Sequence, residues 1–162
     1  MATPQETPEL HYLPLLNEIV GGERRAGVFL KAWADKTPDP ALKACLQMVA
    51  RRETSHYHIF KRRIEELSAT VEEQDDPSFH ERLLVNCSDM PDIEKIRYGQ
   101  AKQRQQPQSP TRAEKIEAAI ADETVDPLTR SLLRWFAEVE ADSGARLRQE
   151  YARIEAEATK EA

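Results

Sequence analysis

The side chains best suited to chemistry in this sequence are a glutamate and a histidine inside a long apolar-periodic stretch. Residues 41–67 carry apolar side chains at helical spacing, and the same stripe passes through Glu53 and His56. Three positions apart, the two side chains lie one turn apart on one helix face and can reach the same ion. Because burying an unpaired carboxylate costs several kcal/mol, the pair requires hydrogen-bond partners, water or a metal.

Two further carboxylates fall on the apolar stripes of other predicted helices. Glu23 lies on the stripe of the first long helix, directly after Gly21 and Gly22, which predict a bend or close packing there. An alternative interpretation is that the head group of Glu23 reaches solvent from a narrow interface. The stripe of the last long helix passes through Glu140 and Ser143.

The composition favours one all-helical domain. The 162 residues include only 5 glycines and few β-branched runs, whereas Ala, Leu, Glu, Arg and Lys are abundant. A chain of this length has one core by default and buries about two-thirds of the surface that its unfolded form exposes. We therefore predict an all-α protein.

Charge and hydropathy argue against several classes of partner. The formal net charge is -6, from 29 acidic and 23 basic side chains, which disfavours nucleic acid. No apolar run approaches the roughly 18 residues of a membrane span, and the N-terminus lacks the basic start and apolar stretch of an export signal. Cys45 and Cys87 form no CxxC pair and are predicted to be reduced thiols. We therefore predict a cytoplasmic protein with no membrane partner.

Apolar periodicity and helix breakers predict four main helices and a long connection. We assign residues 1–8 to a flexible N-terminus and residues 9–158 to a single domain. The domain divides into a hairpin (9–67), a crossover (68–110) and a second hairpin (111–158). The main helices are predicted from residue 9 or 14 to 35, and over 40–67, 111–124 and 127–158. Short helices are predicted over 79–86 and 93–103, followed by a linker over 103–110.

The two hairpins read as an internal repeat with an offset of 87 residues that extends both ways without a gap. Two similar hairpins joined by a long crossover would form a four-helix bundle with pseudo-twofold symmetry. The aligned pairs are Asp39 with Asp126, Pro40 with Pro127, Glu53 with Glu140, His56 with Ser143, and Glu23 with Pro110.

With Glu23 on one helix and the Glu53-x-x-His56 pair on the next, the chain resembles the ferritin-like superfamily, closest in style to rubrerythrin-type domains. In that family each hairpin contributes one Glu from its first helix and a Glu-x-x-His from its second, and together they hold two irons in the bundle core. The resemblance implies a ferritin-like four-helix bundle with two similar hairpins. It also implies that Glu23, Glu53, His56 and Glu140 are metal ligands.

The second hairpin departs from the family's pattern. Ser143 stands where the histidine is expected, and Pro110 stands where the partner glutamate is expected. Glu114 and Glu117, one and two turns later, can substitute only if the third helix is shifted, and Glu94 in the crossover is a further candidate. Two close metal ions carry a charge of about +4 or more, which a set with three carboxylates does not balance. We therefore expect one ion, with Ser143 or water filling a position.

The first functional hypothesis is a metal-binding protein that holds iron or manganese. The resemblance implies an oxidoreductase acting on peroxide or oxygen, although the sequence assigns no catalytic residue and no substrate. Whether the chain is an enzyme is therefore left open.

The alternative hypothesis is a metal-free helical module that acts through dimerisation or partner binding. In that case no cofactor is bound, and the buried carboxylates and His56 hydrogen-bond to one another and to arginines such as Arg24 or Arg146. Trp33 and Trp135 could then face a second subunit of a homodimer, although a contact at the margin of the core is the favoured role for either.

A third hypothesis invokes the local basic stretch between residues 97 and 104. Arg97, Lys102 and Arg104 could contact RNA or lipid. Three basic residues in a polar region are, however, commonly just solvated. This hypothesis is therefore the least favoured of the three.

Overall fold

A computed structural model of the chain describes residues 10–72, 75–105 and 110–161. Within these ranges the chain forms six α-helices and no strand, which confirms the predicted all-α class. The predicted flexible segment 1–8 and residues 106–109 of the predicted linker lie outside the described residues. In chain order the helices are α1 (Leu13–Lys36), α2 (Pro40–Glu66), α3 (Pro77–Cys87), α4 (Asp92–Gln105), α5 (Arg112–Ala121) and α6 (Pro127–Glu161).

The helices pack as a bundle built on two hairpins. Helix α1 packs along α2, and α5 packs along α6, while the contact between α2 and α6 joins the two pairs. The two crossover helices cover the outside of the bundle, α3 against α1 and α4 against α6. The second helices of the two hairpins, α2 and α6, therefore contact each other directly.

Equivalent Asp-Pro turns start the second helix of each hairpin. Asp39 accepts a hydrogen bond from the backbone N–H of Leu42 at 2.8 Å, and Asp126 accepts one from that of Thr129 at 2.9 Å. A carboxylate at this position satisfies an N–H group that the first helical turn leaves unpaired, and the following proline fits the first helical residue. The two turns thus use the same local chemistry at the aligned positions.

Each of these aspartates also pairs with an arginine of the other hairpin. Arg153 of α6 lies 2.7 Å from Asp39, and Arg63 of α2 lies 2.8 Å from Asp126. Tyr12 donates a further hydrogen bond to Asp126 at 2.8 Å. The reciprocal pairs fix α2 and α6 antiparallel and support the repeat seen in the sequence.

Replacing Asp126 by alanine should lower the free energy of unfolding at pH 7 by about 1–2 kcal/mol, from the lost cap and the lost ion pair. Burial opposes ionisation of Asp126, but hydrogen bonds from Thr129, Tyr12 and Arg63 hold its pKa well below the usual range. The contribution is therefore present at neutral pH and is lost as the pH falls below about 4. Urea denaturation checks this, with Asp35→Ala, an exposed surface change, as the control.

The core consists of two apolar clusters separated along the helices by a buried polar layer. One cluster lies at the start of α1, the other at its end, and the same division runs along α2 and α6. The fully buried anchors of the first are Leu16, Ile19, Phe60, Ile64, Leu133 and Phe136, and those of the second are Leu42, Leu46, Val49 and Ile96. Between them lie the buried polar side chains Glu23, Glu53, His56 and Ser143.

The third main helix is shorter than predicted. It ends at Ala121, because the side chain of Asp122 accepts hydrogen bonds from the backbone and hydroxyl of Thr124 and folds the chain into a turn. Helix α4 also packs against α6, and the side-chain amide of Gln100 on α4 donates a hydrogen bond to Glu155 on α6 at 2.9 Å. The helix predicted over 93–103 is thus observed as α4, the helix predicted over 111–124 is observed as the shorter α5, and α5 begins beside the polar layer.

The two tryptophans have different roles. Trp33 is only 4% exposed, donates to Asp92 at 2.7 Å and stacks on Tyr151 with ring centroids 5.6 Å apart. The suggestion that Trp33 faces a second subunit is therefore wrong, and its role is core packing. Trp135 is 39% exposed and borders the polar layer.

Two smaller expectations are also addressed by the structure. No helix within the described ranges combines the length and apolarity needed to cross a bilayer. Cys45 is half-buried and Cys87 is exposed, and both are free thiols. Neither cysteine is paired in a disulfide, as predicted.

Candidate metal centre

Four side chains from three helices meet in the polar layer. Glu23 comes from α1, Glu53 and His56 from α2, and Glu140 from α6, and one donor atom of each lies within 4.8 Å of the others. The first three are 0%, 5% and 1% exposed, and Glu140 is partly buried. The structure therefore brings together the four residues that the sequence and the resemblance singled out.

The spacing of these donor atoms suits a single cation. Metal–oxygen and metal–nitrogen bonds of about 2.0–2.3 Å place the ligands of one ion roughly 3 to 4.5 Å apart. The largest separation in the cluster is 4.8 Å, so a few tenths of an ångström of side-chain movement would close the set on one ion. Oxygen and imidazole donors together suit iron, manganese or zinc better than a purely oxygen-seeking ion.

His56 presents its Nδ1 atom to the cluster. This nitrogen lies 3.0 Å from Oε2 of Glu23 and 3.6 Å from Oε1 of Glu140. The ring is held edge-to-face by Trp135 and Phe136, with centroids 5.2 and 5.0 Å away. Aromatic packing therefore fixes the imidazole plane, and the carboxylates face one defined nitrogen.

A fifth side chain, Arg112, enters the cluster from α5. Its Nη1 atom lies 3.0 Å from Oε1 of Glu23, and its Nη2 atom lies 3.2 Å from Oε2 of Glu140. The guanidinium therefore bridges two carboxylates from different hairpins, and it lies 5.7 Å from the ring centroid of Phe136. Such a fork satisfies two carboxylates at once in a way that a lysine cannot.

Local structure positions Arg112. It is the first residue of α5, where Thr111 and Glu114 form a capping box with reciprocal hydrogen bonds. Opposite it, Gly22 leaves room for the guanidinium, because a Cβ atom at Gly22 would lie 2.7 Å from Nη1 of Arg112. The sequence left open whether Gly21 and Gly22 mark a bend or close packing. The structure supports close packing, because α1 runs through both glycines without interruption.

The carboxylates have unequal proton affinities. Burial opposes ionisation of Glu23, but hydrogen bonds with His56 and Glu53 and the charge of Arg112 hold its pKa below the usual value. Burial, the hydrogen bond to Glu23 and the nearby negative charges raise the pKa of Glu53 to about 10. Burial and the charge of Glu23 also raise the pKa of Glu140. Without a cation, Glu53 therefore carries a proton at neutral pH.

One acceptor in the cluster has no partner. The Oε1 atom of Glu140 is buried and accepts no hydrogen bond, although it lies 3.6 Å from Nδ1 of His56. Leaving a buried carboxylate oxygen unsatisfied costs free energy of the order of 1–3 kcal/mol or more. An ion bound among these groups would supply the missing interaction.

The other candidate ligands do not join the cluster. Glu114 is exposed and is used in the capping box of α5, and Glu117 and Glu94 are exposed on α5 and α4. Ser143 is buried as the stripe predicted, but its Oγ atom accepts a hydrogen bond from Arg52 at 3.0 Å.

Arg112 is the residue of the centre that the sequence analysis missed. Arg24 and Arg146 were named as cations for a metal-free cluster, whereas Arg146 pairs with Asp142 on the surface and Arg24 is exposed. The internal repeat did contain a signal for Arg112. Glu23 aligns with Pro110, and Arg112 follows Pro110 by only two residues.

A shallow groove on the surface is lined in part by His56, and its volume is about 480 Å³. The walls are formed by Met48, Ile59, Trp135 and Val139, with Arg51 and Arg52 among the lining residues. His56 itself is only 1% exposed, so its ring is almost entirely shielded from solvent on this side.

No family model matches the chain, and no curated protein and no solved structure matches it. The ferritin-like resemblance thus stands on the residue pattern itself.

Proposed function

We propose that this protein is a ferritin-like metal-binding protein that holds one divalent cation, iron or manganese, through Glu23, Glu53, His56 and Glu140. The observation that supports the proposal most is the convergence of these four donors from three helices on one buried point. Buried charges of one sign do not gather without a compensating charge, because each uncompensated charge costs several kcal/mol.

The charges of the cluster support one divalent ion rather than two. Three ionised carboxylates carry three negative charges, and the bridging Arg112 supplies one positive charge. With His56 neutral, as a metal ligand must be, two negative charges are left. One divalent cation makes the layer neutral, whereas in its absence the carboxylates must take up protons instead.

The centre provides ligands for an ion, and a surface groove lies beside His56. Bound iron or manganese would supply a redox-active or Lewis-acidic ion, which is the chemistry that peroxide or oxygen reactions require. The chain's own residues would hold and orient that ion, and the aromatic rings around His56 would limit the access of water. We propose no catalytic residue beyond these ligands.

Elemental analysis and titration test the proposal. Protein produced with iron or manganese should contain close to one ion per chain, and Mn²⁺ should raise its midpoint of thermal unfolding. Glu53→Ala should lose the ion and the shift, whereas Glu65→Ala, an exposed change on the same helix, should keep both. Wild-type protein that binds no Mn²⁺, and whose melting is insensitive to it, would refute the metal centre.

A second candidate function is association of two copies through the face around Trp135. The observation that favours it is that Trp135 leaves 39% of its surface exposed beside Met48, Ile59 and Val139. We propose a homodimer that covers this face. Light scattering at high protein concentration tests it: a dimer that dissociates in Ile59→Asp supports the proposal, and a monomeric wild type contradicts it.

A further inference from the structure

We infer that Arg112 sets the ion selectivity of the centre: its fixed positive charge matches the cluster to a divalent cation and disfavours a trivalent one. The inference rests on the proposed metal site, and it assigns a specificity-determining role to a residue that is not itself a ligand.

The charge of Arg112 is permanent and is held against two members of the ligand set. A guanidinium does not lose its proton in proteins, so it cannot adjust to the ion that is bound. It contacts one oxygen each of Glu23 and Glu140, whose other oxygens face His56. Any ion bound by these carboxylates therefore shares them with a fixed positive neighbour.

The chain makes specific room for this arrangement. The absence of a side chain at Gly22 admits the guanidinium, and the capping box of Thr111 and Glu114 anchors the backbone of Arg112 beside the cluster. The side chain of Arg112 is 34% exposed, so part of its field is screened by solvent. The two carboxylate contacts nevertheless hold it at the edge of the buried layer.

Electrostatics give the expected size of the selectivity. Repulsion from Arg112 grows with the charge of the bound ion, so a trivalent ion is penalised more than a divalent one. At a separation of a few ångströms and an effective dielectric constant of about 20, one further unit of charge changes affinity by about a hundredfold or more, and solvent screening of the part-exposed guanidinium reduces this to roughly tenfold to a hundredfold. Removing the guanidinium should therefore favour a trivalent ion over a divalent ion by about that factor.

The test compares Mn²⁺ and Tb³⁺ as probes. Tb³⁺ luminescence can be excited through Trp135, whose ring lies 5.2 Å from that of His56. In Arg112→Gln the ratio of Tb³⁺ to Mn²⁺ affinity should rise at least tenfold over wild type. Arg104→Gln removes the same charge from an exposed position on α4 and should leave the ratio unchanged. Arg112→Lys should restore most of the wild-type ratio.

A second variant keeps the arginine but moves it. A Cβ atom in Gly22→Ala would displace the flexible end of Arg112 from between the two carboxylates, so the ratio should shift in the same direction by a smaller factor. Gly21→Ala is the matched control, because its Cβ would approach Arg25 and not Arg112. This arm remains informative even if Arg112→Gln folds poorly.

The outcomes separate the two proposals. Wild-type protein that binds neither probe refutes the metal site itself. Wild-type protein that binds Mn²⁺, together with an Arg112→Gln variant in which both affinities change by the same factor, refutes only the selectivity role of Arg112. A raised Tb³⁺ to Mn²⁺ ratio in Arg112→Gln and Gly22→Ala, but not in the two controls, supports it.

Discussion

Glu23→Ala should abolish metal binding and lower the free energy of unfolding of the metal-free protein by about 3 kcal/mol. Glu23 is fully buried and contacts both His56 and Arg112 in the polar layer, each at 3.0 Å. Its removal leaves both without their main partner and leaves a small cavity between α1 and α2. Urea denaturation in the presence of a chelator measures the loss in stability, and Mn²⁺ titration measures the loss of binding.

Glu18→Ala provides the matched control for this prediction. Glu18 lies on the same helix and also pairs with a basic residue of α5, Lys115 at 2.8 Å, but both side chains are about one-third exposed. A surface ion pair contributes roughly 0–1 kcal/mol, and its loss should leave the metal site intact. Equal losses of stability in the two variants would show that Glu23 contributes no more to folding stability than a surface ion pair does.

The positions of the four clustered residues could be predicted because helical periodicity fixes which side chains face the core. Each of the four residues, Glu23, Glu53, His56 and Glu140, continues an apolar stripe. A carboxylate or imidazole buried in such a stripe requires a buried partner. The predicted starts of α2 and α6 at Pro40 and Pro127 were confirmed for a similar reason, since an aspartate cap followed by proline has few other structural uses.

Arg112 could not be predicted from the same pattern. It lies at the first residue of α5, off the apolar stripe, and enters the core only through its long side chain. Its effect depends on the register between α5 and α1, which the sequence does not specify: Lys115 pairs with Glu18 and Arg112 with Glu23 because the two helices run antiparallel. A contact that depends on the register between two helices in the fold leaves little signal in the local sequence.

The helix predicted over 111–124 runs past the observed end of α5 at Ala121. The stretch around residues 106–110 is rich in proline and polar residues, so it was assigned to the linker, and the helix after it was extended through Thr124. The side-chain turn at Asp122 ends that helix early, and α4, which was predicted separately over 93–103, packs against α6. Pro110 thus leaves no carboxylate at this level, and Arg112 occupies the space.

The polar layer has to be stable both with and without a bound ion. Glu53 is the residue whose charge differs most between these two states, because it carries a proton in the metal-free protein and is ionised as a ligand. It is 5% exposed and borders two other carboxylates, and the structure shows no cation paired directly with it among the described residues. Its pKa of about 10 means that the metal-free folded chain holds a proton that the unfolded chain releases above about pH 4.5. The free energy of unfolding should therefore fall as the pH rises from 5 to 9, by up to about 1.4 kcal/mol per unit.

Glu53→Gln should remove this pH dependence and stabilise the metal-free protein by about 1–3 kcal/mol at pH 7 to 8. The glutamine amide can donate to Glu23 as the protonated carboxyl does, yet it has no proton to lose. The same variant should bind Mn²⁺ at least a hundredfold more weakly, because it replaces a charged ligand by a neutral one. Urea denaturation with chelator at pH 6, 7 and 8 checks the stability, with Glu65→Gln on the exposed face of α2 as the control.

A metal-free Glu53→Gln protein that is less stable than wild type at pH 8 would mean that Glu53 is ionised and paired in the metal-free polar layer. Stabilisation without the ion combined with weaker Mn²⁺ binding would instead identify Glu53 as a residue retained at a cost to stability for the sake of the metal.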